Sequence, residues 1–468
     1  MSIFDAGWVA NACGGRALGD PSLGFDRFSR DSREDVRGTM FVALRGENHD
    51  GHAFLPDVVK AGAVGVLAED IPFRRKEVPG LAIVLVDDTL RAVTAVARAH
   101  RRRMHARVIA LTGSCGKTTT KDMLRAILER EGPTLATTGN LNNHIGVPFT
   151  LLGIRPEHRF AVVELGCNHP REIAALAATA EPDVGLITCV AAAHLEGLGS
   201  LDGVARAKGE LFAALDRPGT IAVVNAEDRR VAALPTGRAT PITVGGEHRQ
   251  VDIRIELIGT AGDRQQFALH FQDGATARVS LALPGRHMVM DAALAAAAAR
   301  AVGAGMRAVE EGLASVSAGQ HRGEIHTSTR GVVVLDDTYN ANPGSMLVAL
   351  ETVDALPGEG RKVAILGEML ELGDAAAELH RGIGEAAGRL GFGLLLCVGP
   401  SATRAAEGAR AAGMAGEAVM VFNDVETLLG SVDRLLRSGD RLLVKGSRGM
   451  RMERVVAGVL RGCVDDAV

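Results

Sequence analysis

Between Ile109 and Thr120 the chain reads Ile-Ala-Leu-Thr-Gly-Ser-Cys-Gly-Lys-Thr-Thr-Thr. An apolar run enters a turn with two glycines and leaves it as a helix whose inner face is Met123, Leu124, Ile127 and Leu128. Such a turn aims backbone N–H groups at an anion, and the helix dipole adds favourable potential. Gly113, Ser114, Cys115, Gly116 and Thr119 would surround a bound triphosphate. Lys117 would reach its β- and γ-phosphates, and the Thr118 hydroxyl would sit on Mg²⁺. The long form of this motif requires Gly at 111, where Leu stands. A strand that feeds a phosphate loop and a helix demands an α/β domain with helices laid on a sheet.

The flanking sequence extends that architecture to three α/β domains. In the first, Phe41–Leu44, Val64–Leu67 and Ala82–Val86 are short apolar runs of strand type, and Thr89 to Arg103 has helical spacing. The second opens at Val108 and alternates strands (Phe160 to Leu165, Val184 to Val190, Thr220 to Asn225) with Ala-rich helices, the pattern of a mostly parallel sheet. Asp291 to Arg300 is a strong helix former, and Val251 to Leu283 reads as β structure. A Rossmann-like third domain repeats strand and helix through Val332–Leu335, Val363–Leu366, Leu394–Val398 and Arg441–Val444. The expected divisions are 1–104, 105–324 and 325–468, in line with a prior of roughly 150 residues per domain for a chain of 468 residues.

Composition removes several classes of function. The net charge is −4, from 52 Lys and Arg against 56 Asp and Glu, which gives nucleic acid no general electrostatic footprint. The dense basic run Arg101-Arg102-Arg103 reads as the solvated end of a helix. Six cysteines are scattered without CxxC pairs, as expected of reduced thiols and not of a zinc site or disulfide framework. No apolar run approaches the ~18 residues of a membrane span, and the N-terminus lacks the basic region of a signal peptide. A cytoplasmic monomer without membrane insertion is expected.

Three further residues are ambiguous by themselves. Glu164 ends the apolar strand Phe160-Ala-Val-Val-Glu, where a Mg²⁺ beside a phosphate loop needs a hard oxygen ligand, although strand-end acids are commonplace. His194 follows a strand and alone would read as structural. Lys208, on the helix Leu201 to Leu215, would read as a solvated lysine.

The segments TGSCGKTTT, TTGNLNNHIGVP, ELGCNHP, AAAHLEGLGSLDGVARAKGELF, DDTYNANPGSM, GEMLELG and KGSR occur here in the order seen in the Mur ligases. The chain resembles those members that join UDP-N-acetylmuramoyl-tripeptide to D-alanyl-D-alanine. DSREDVRGTMFVALRGENHDGHAF, which includes Ser32 and Arg45, is similar to their uridine-binding segment. The family's shorter TGxxGKT loop accounts for Leu111.

The resemblance implies an ATP- and Mg²⁺-dependent ligase with small-molecule substrates. It makes Glu164 and His194 metal ligands, and Lys208 the lysine that these enzymes convert with CO₂ to a carbamate. Arg322 would reach the γ-phosphate, while Asp337 and Tyr339, the only tyrosine in the chain, would contact ATP from the third domain. Thr137, Thr138, Asn140, Asn142 and Asn143 would hold the muramoyl-peptide. One departure stands out: many members read GRHNxxNALAA, and Asp291 occupies the position of the second Asn, which helps to read adenine. An ionised Asp accepts but cannot donate.

The chemistry implied has two steps, with the acyl phosphate between them. Because Arg322 and Asp337 lie across a domain junction from the loop, the site should be complete only on closure. The rivals are a ligase for another amine, against which DDTYNANP and TTGNLNNHIGVP argue, and a P-loop kinase or regulatory NTPase.

Overall fold

A computed structural model describes residues 2–46, 49–74, 77–246, 250–261 and 264–461. Cys463 lies outside the described residues. Three large sheets follow one another along the chain, and each carries helices.

The first sheet has five strands in the order Arg16–Leu18, Ala82–Leu85, Gly65–Ala68, Thr39–Val42, Arg27–Ser29. All neighbours are parallel except the first pair. The helix Thr89–Arg103, capped by the Asp88 carboxylate accepting from Arg91 N at 2.8 Å, leads out of it.

The end of that helix corrects the reading of its basic run at Arg101, while Arg102 and Arg103 are exposed at the helix end as expected. Arg101 is 7% exposed, and its guanidinium donates to Ala180 O at 3.1 Å and to Asp183 Oδ2 at 3.0 Å. Arg102 pairs with Glu181, and the Arg103 guanidinium lies 4.4 Å from the centre of the Trp8 ring. Buried His100 bonds Ile154 O at 2.8 Å, and burial pushes its pKa down to about 4. The run is a dock between the first and second sheets. A charge count shows the cations but not the carbonyls and carboxylates, about eighty residues on, that receive them.

Nine strands form the central sheet, in the order Thr276–Leu281, Arg264–Phe271, Ile253–Ala261, Thr240–Gly245, Ile221–Asn225, Val184–Ile187, Arg107–Thr112, Phe160–Glu164, Thr134–Ala136. Pairing is parallel from Ile253–Ala261 to the Thr134–Ala136 edge, and antiparallel over the two hairpin steps at the other edge. Arg107–Thr112 therefore lies inside the sheet, its apolar residues fully covered. The helix Arg286–Ala301 packs its alanines into the same core as Met123, Leu124, Ile127 and Leu128. Small side chains let this helix approach the phosphate-loop helix closely, which brings Asp291 to the loop.

The third sheet runs Glu324–Thr327, Val333–Asp337, Arg441–Lys445, Lys362–Leu366, Leu394–Val398, Val419–Phe422, and only its first pair is antiparallel. Asp337 and Lys445 end neighbouring parallel strands in register. The carboxyl ends of its strands thus carry the residues that face the central sheet.

Candidate active site

The loop that leaves Thr112 owes its shape to two glycines in the left-handed half of backbone space, Gly113 at φ 155° and Gly116 at φ 78°. A β-carbon on Gly113 would fall 1.9 Å from Thr188 Oγ1, and one on Gly116 would fall 2.6 Å from Asp291 Oδ1. Neither position tolerates a side chain. Gly116 caps the helix Lys117–Leu128 without any side-chain bond, so the free N–H groups of its first turn face outward. Lys117 curls back to donate from Nζ to Gly113 O at 2.8 Å.

Glu164 leaves the adjacent strand and is 2% exposed. Thr118 donates its hydroxyl to Glu164 Oε2 at 2.9 Å, and Asn142 donates Nδ2 to Oε1 at 2.8 Å. Buried Thr137 receives the Glu164 N–H at 3.0 Å, and so positions the acid from behind. His194 lies in the left-handed region at φ 54°, and its Nδ1 bonds the carboxylate of Glu371 on the third unit. Burial holds the His194 pKa below its usual value, with Lys117 and Lys208 adding to the depression against the pull of Glu371.

Lys208 is 1% exposed, far from a solvated lysine. Its Nζ donates to Cys167 Sγ at 3.2 Å. Desolvation, and next the charge of Lys117, lower its pKa. Asp291 is pushed up to about 8, first by burial and then by Cys115, and its Oδ2 has no hydrogen-bond partner. Burial thus favours its protonated form, which can donate. The ionised carboxylate considered from the sequence is not the form that burial favours.

A cleft of about 980 Å³ opens between the second and third units. It brings together Ser114, Cys115, Gly116, Lys117, Thr118, Thr119, Asn140, Asn142, Asn143, Glu164, His194, Asp291, Arg322, Asp337 and Tyr339. Its lining does not include Gly113, Thr137, Thr138 or Lys208, nor Ser32 and Arg45 of the first unit. Arg45 instead pairs with Glu69 at 3.1 Å and Asp70 at 3.2 Å.

On the far wall, the Arg322 guanidinium stacks 3.4 Å from the Tyr339 ring centre, and that of Arg448 lies at 4.9 Å. Lys445 is buried and ion-paired with Asp337. Asn342 crosses the gap, donating Nδ2 to Ser114 O at 3.3 Å and accepting from the Cys115 thiol at 3.2 Å. The two walls are thus closed on each other. His287, held by burial at about 4, also lines the cleft.

Asn342, Glu371 and Lys445 fall in the segments DDTYNANPGSM, GEMLELG and KGSR, where no role had been given to them. Asn342 with Ser114 and Cys115, Glu371 with His194, and Lys445 with Asp337 are pairs 108 or more positions apart, so only the folded chain brings them together.

Residues 111–299 match the family model described as Mur ligase middle domain, and residues 321–448 match Mur ligase, glutamate ligase domain. The UDP-N-acetylmuramoyl-tripeptide–D-alanyl-D-alanine ligase of Escherichia coli is 40% identical over 80% of this chain and 81% of its own. The chain belongs to the Mur ligase family, in its MurF branch. Among solved Mur ligases, MurF from Acinetobacter baumannii superposes with a TM-score of 0.87 at 32% identity, over 98% of each chain. MurF from Thermotoga maritima in complex with ADP gives 0.79 at 26% identity, over 92% of this chain and 96% of that one.

Proposed function

We infer that this chain is an ATP-dependent, ADP-forming ligase that joins UDP-N-acetylmuramoyl-tripeptide to D-alanyl-D-alanine in peptidoglycan precursor synthesis. The observation that carries the reading is the cleft, with the phosphate loop and Glu164 on one wall and Arg322, Asp337 and Tyr339 on the other. The divisions at 104 and 324 then separate a precursor-binding unit, an ATP-binding unit and an amine-binding unit. Ser32, Arg45, Thr137, Thr138, Asn140, Asn142 and Asn143 are assigned to the precursor. ATP is assigned to the loop, Asp291, Arg322, Asp337 and Tyr339.

The donor set fits Mg²⁺. The Thr118 hydroxyl and the Glu164 carboxylate are hard oxygens within 2.9 Å of each other, and His194 and a carbamate on Lys208 would complete the set. When bound, the ion would offset phosphate charge.

The tripeptide carboxylate attacks the γ-phosphorus, the bond to the bridging oxygen of ADP breaks, and an acyl phosphate forms. The amine of D-alanyl-D-alanine then attacks the acyl carbon, and phosphate leaves. Lys117 and Arg322 supply positive charge where two anions must meet, and the free N–H groups of the loop hold the transferred group in place. Asn342 and Glu371 keep the third unit against the second, so both substrates react away from bulk water.

We assign the activity to the cytoplasm as part of this reading; no helix among the described residues is long and apolar enough to cross a membrane. The deciding experiment measures phosphate release with each substrate omitted in turn. Release that requires both the nucleotide-sugar peptide and the dipeptide supports the ligase, whereas release with either one absent supports an NTPase.

A further inference from the structure

We propose that Cys115 and Cys189 are a peroxide-responsive pair, closing to a reversible disulfide that locks the phosphate loop and shuts the nucleotide site.

The fold puts the two thiols together. Strands Arg107–Thr112 and Val184–Ile187 are parallel neighbours, with Thr112 opposite Ile187. The pairing runs on past their ends: Ser114 N donates to Cys189 O at 2.9 Å, and the Thr188 hydroxyl donates to Cys115 O. Cys189 Sγ donates to Cys115 O at 3.7 Å, and the two thiols are close enough for each to shift the pKa of the other. Both residues line the cleft, so a small oxidant reaches them.

Their environments divide the labour. Contact with the Cys189 thiol, then with Asn342 and the charge of Lys117, brings the Cys115 pKa down to about 7, while Cys189 is raised well above the usual thiol value. Cys115 is thus the member that gives up its proton more readily and Cys189 the protonated thiol held beside it, the arrangement of an attacking and a resolving cysteine. The remaining described cysteines differ. Cys13 is raised by burial, Cys397 is pushed up to about 12, and Cys167 is engaged by Lys208.

The step balances with hydrogen peroxide as oxidant. The Cys115 thiolate attacks one peroxide oxygen, the O–O bond breaks, and protonation of the leaving hydroxide gives Cys115 sulfenic acid and water. The Cys189 sulfur then attacks the sulfenic sulfur, the S–O bond breaks, and the hydroxyl leaves with the thiol proton as a second water. Each sulfur loses one electron overall, and the peroxide is reduced to two waters.

Two consequences follow for the site. The Cys115 thiol can no longer donate to Asn342, which removes one of the two hydrogen bonds that, among the described residues, join the loop to the third unit. The loop between Gly113 and Gly116 is also tethered at its centre, where its N–H groups must reorganise around phosphate. This second consequence rests on the reading of the loop as a nucleotide site.

The test treats the full-length protein with hydrogen peroxide, with and without Mg-ATP. Expected are loss of the mass of two hydrogens, a non-reduced peptide pair joining Cys115 to Cys189, and protection by Mg-ATP. Ligation should fall by about 10²-fold, the scale of a misplaced reacting group, and return with dithiothreitol. In Cys189→Ser, Cys115 should stop at a sulfenic acid trapped by dimedone, and continued peroxide should lower ligation from that variant's own starting level beyond rescue by dithiothreitol. A treated protein with no Cys115–Cys189 linkage, or a linked protein with full activity, overturns the proposal. The linkage is read by mass, so failure of the ligase reading would be seen separately.

Discussion

Asn342 binds the phosphate loop with the same side chain that starts its own helix. Its Oδ1 accepts from Ser345 N at 2.9 Å to cap Pro343–Ala355, and its Nδ2 donates to Ser114 O at 3.3 Å. Capping and domain closure can be separated by charge. Asn342→Asp keeps the capping oxygen and loses the donor, so its melting temperature should stay near that of the parent while kcat/KM falls. Asn342→Ala loses both and should also be less stable, by about 1 kcal/mol for the cap. Thermal melts and steady-state kinetics on the two variants check this. Parental turnover in Asn342→Asp would mean that the bridge plays no part in catalysis.

Lys117→Ala should abolish ligation and leave the fold intact. Among the described residues its one hydrogen bond from Nζ goes to Gly113 O, and no core group is removed. A loss of about 10²-fold or more in kcat is expected, the scale of deleting one preorganised electrostatic donor. Unchanged circular dichroism with near-parental turnover would sink the phosphate-loop assignment.

Asp291 should make stability depend on pH. Its folded pKa of about 8 lies above the ordinary value of 3.8. Between those values the unfolded chain releases the proton and the folded one keeps it. The folded state thus binds more protons, and stability falls as pH rises through that window. Asp291→Asn removes the titration, so the variant should gain on the parent from pH 5 to 8 and then keep a constant lead. Urea midpoints across that range decide it, and parallel curves for the two proteins would mean that the acid ionises in the folded protein. A neutral Asp291 can donate as Asn does, so the ratio of KM values for ATP and GTP should then change little in the variant at pH 7.

Most of the scaffold was legible because buried parallel strands are continuous apolar runs, and those runs match the strands here within a few residues. The phosphate loop was legible for a local reason: two glycines, a lysine and a threonine occupy consecutive positions. What local sequence could not supply was distant pairing. Arg101 looked solvated because Asp183 and the Ala180 carbonyl are about eighty residues away. Lys208 looked like a surface lysine because nothing around it in sequence announces Cys167 or a buried helix face. His194 gained its partner, Glu371, only from another sheet.

Lys208 should carry a carbamate in the active protein, and its surroundings explain why a lysine can take that form here. Carbamylation needs the neutral amine. Burial is the larger cause of its lowered pKa and the nearby Lys117 charge the second, so both favour the reactive form. An unmodified ammonium would add positive charge close to Lys117 and His194, where a Mg²⁺ held by Thr118 and Glu164 calls for oxygen. The carbamate reverses that charge, and its reach exceeds that of Asp or Glu from the same helix. Lys208→Ala should therefore be nearly inactive, and a short carboxylic acid in the buffer should restore part of the activity by filling the gap. Lys208→Arg should not respond, because a guanidinium fills the gap with the wrong charge. A bare ammonium at Lys208 in a high-resolution map of the ATP-bound protein, or an active Lys208→Ala without added acid, would leave this lysine with only its bond to Cys167.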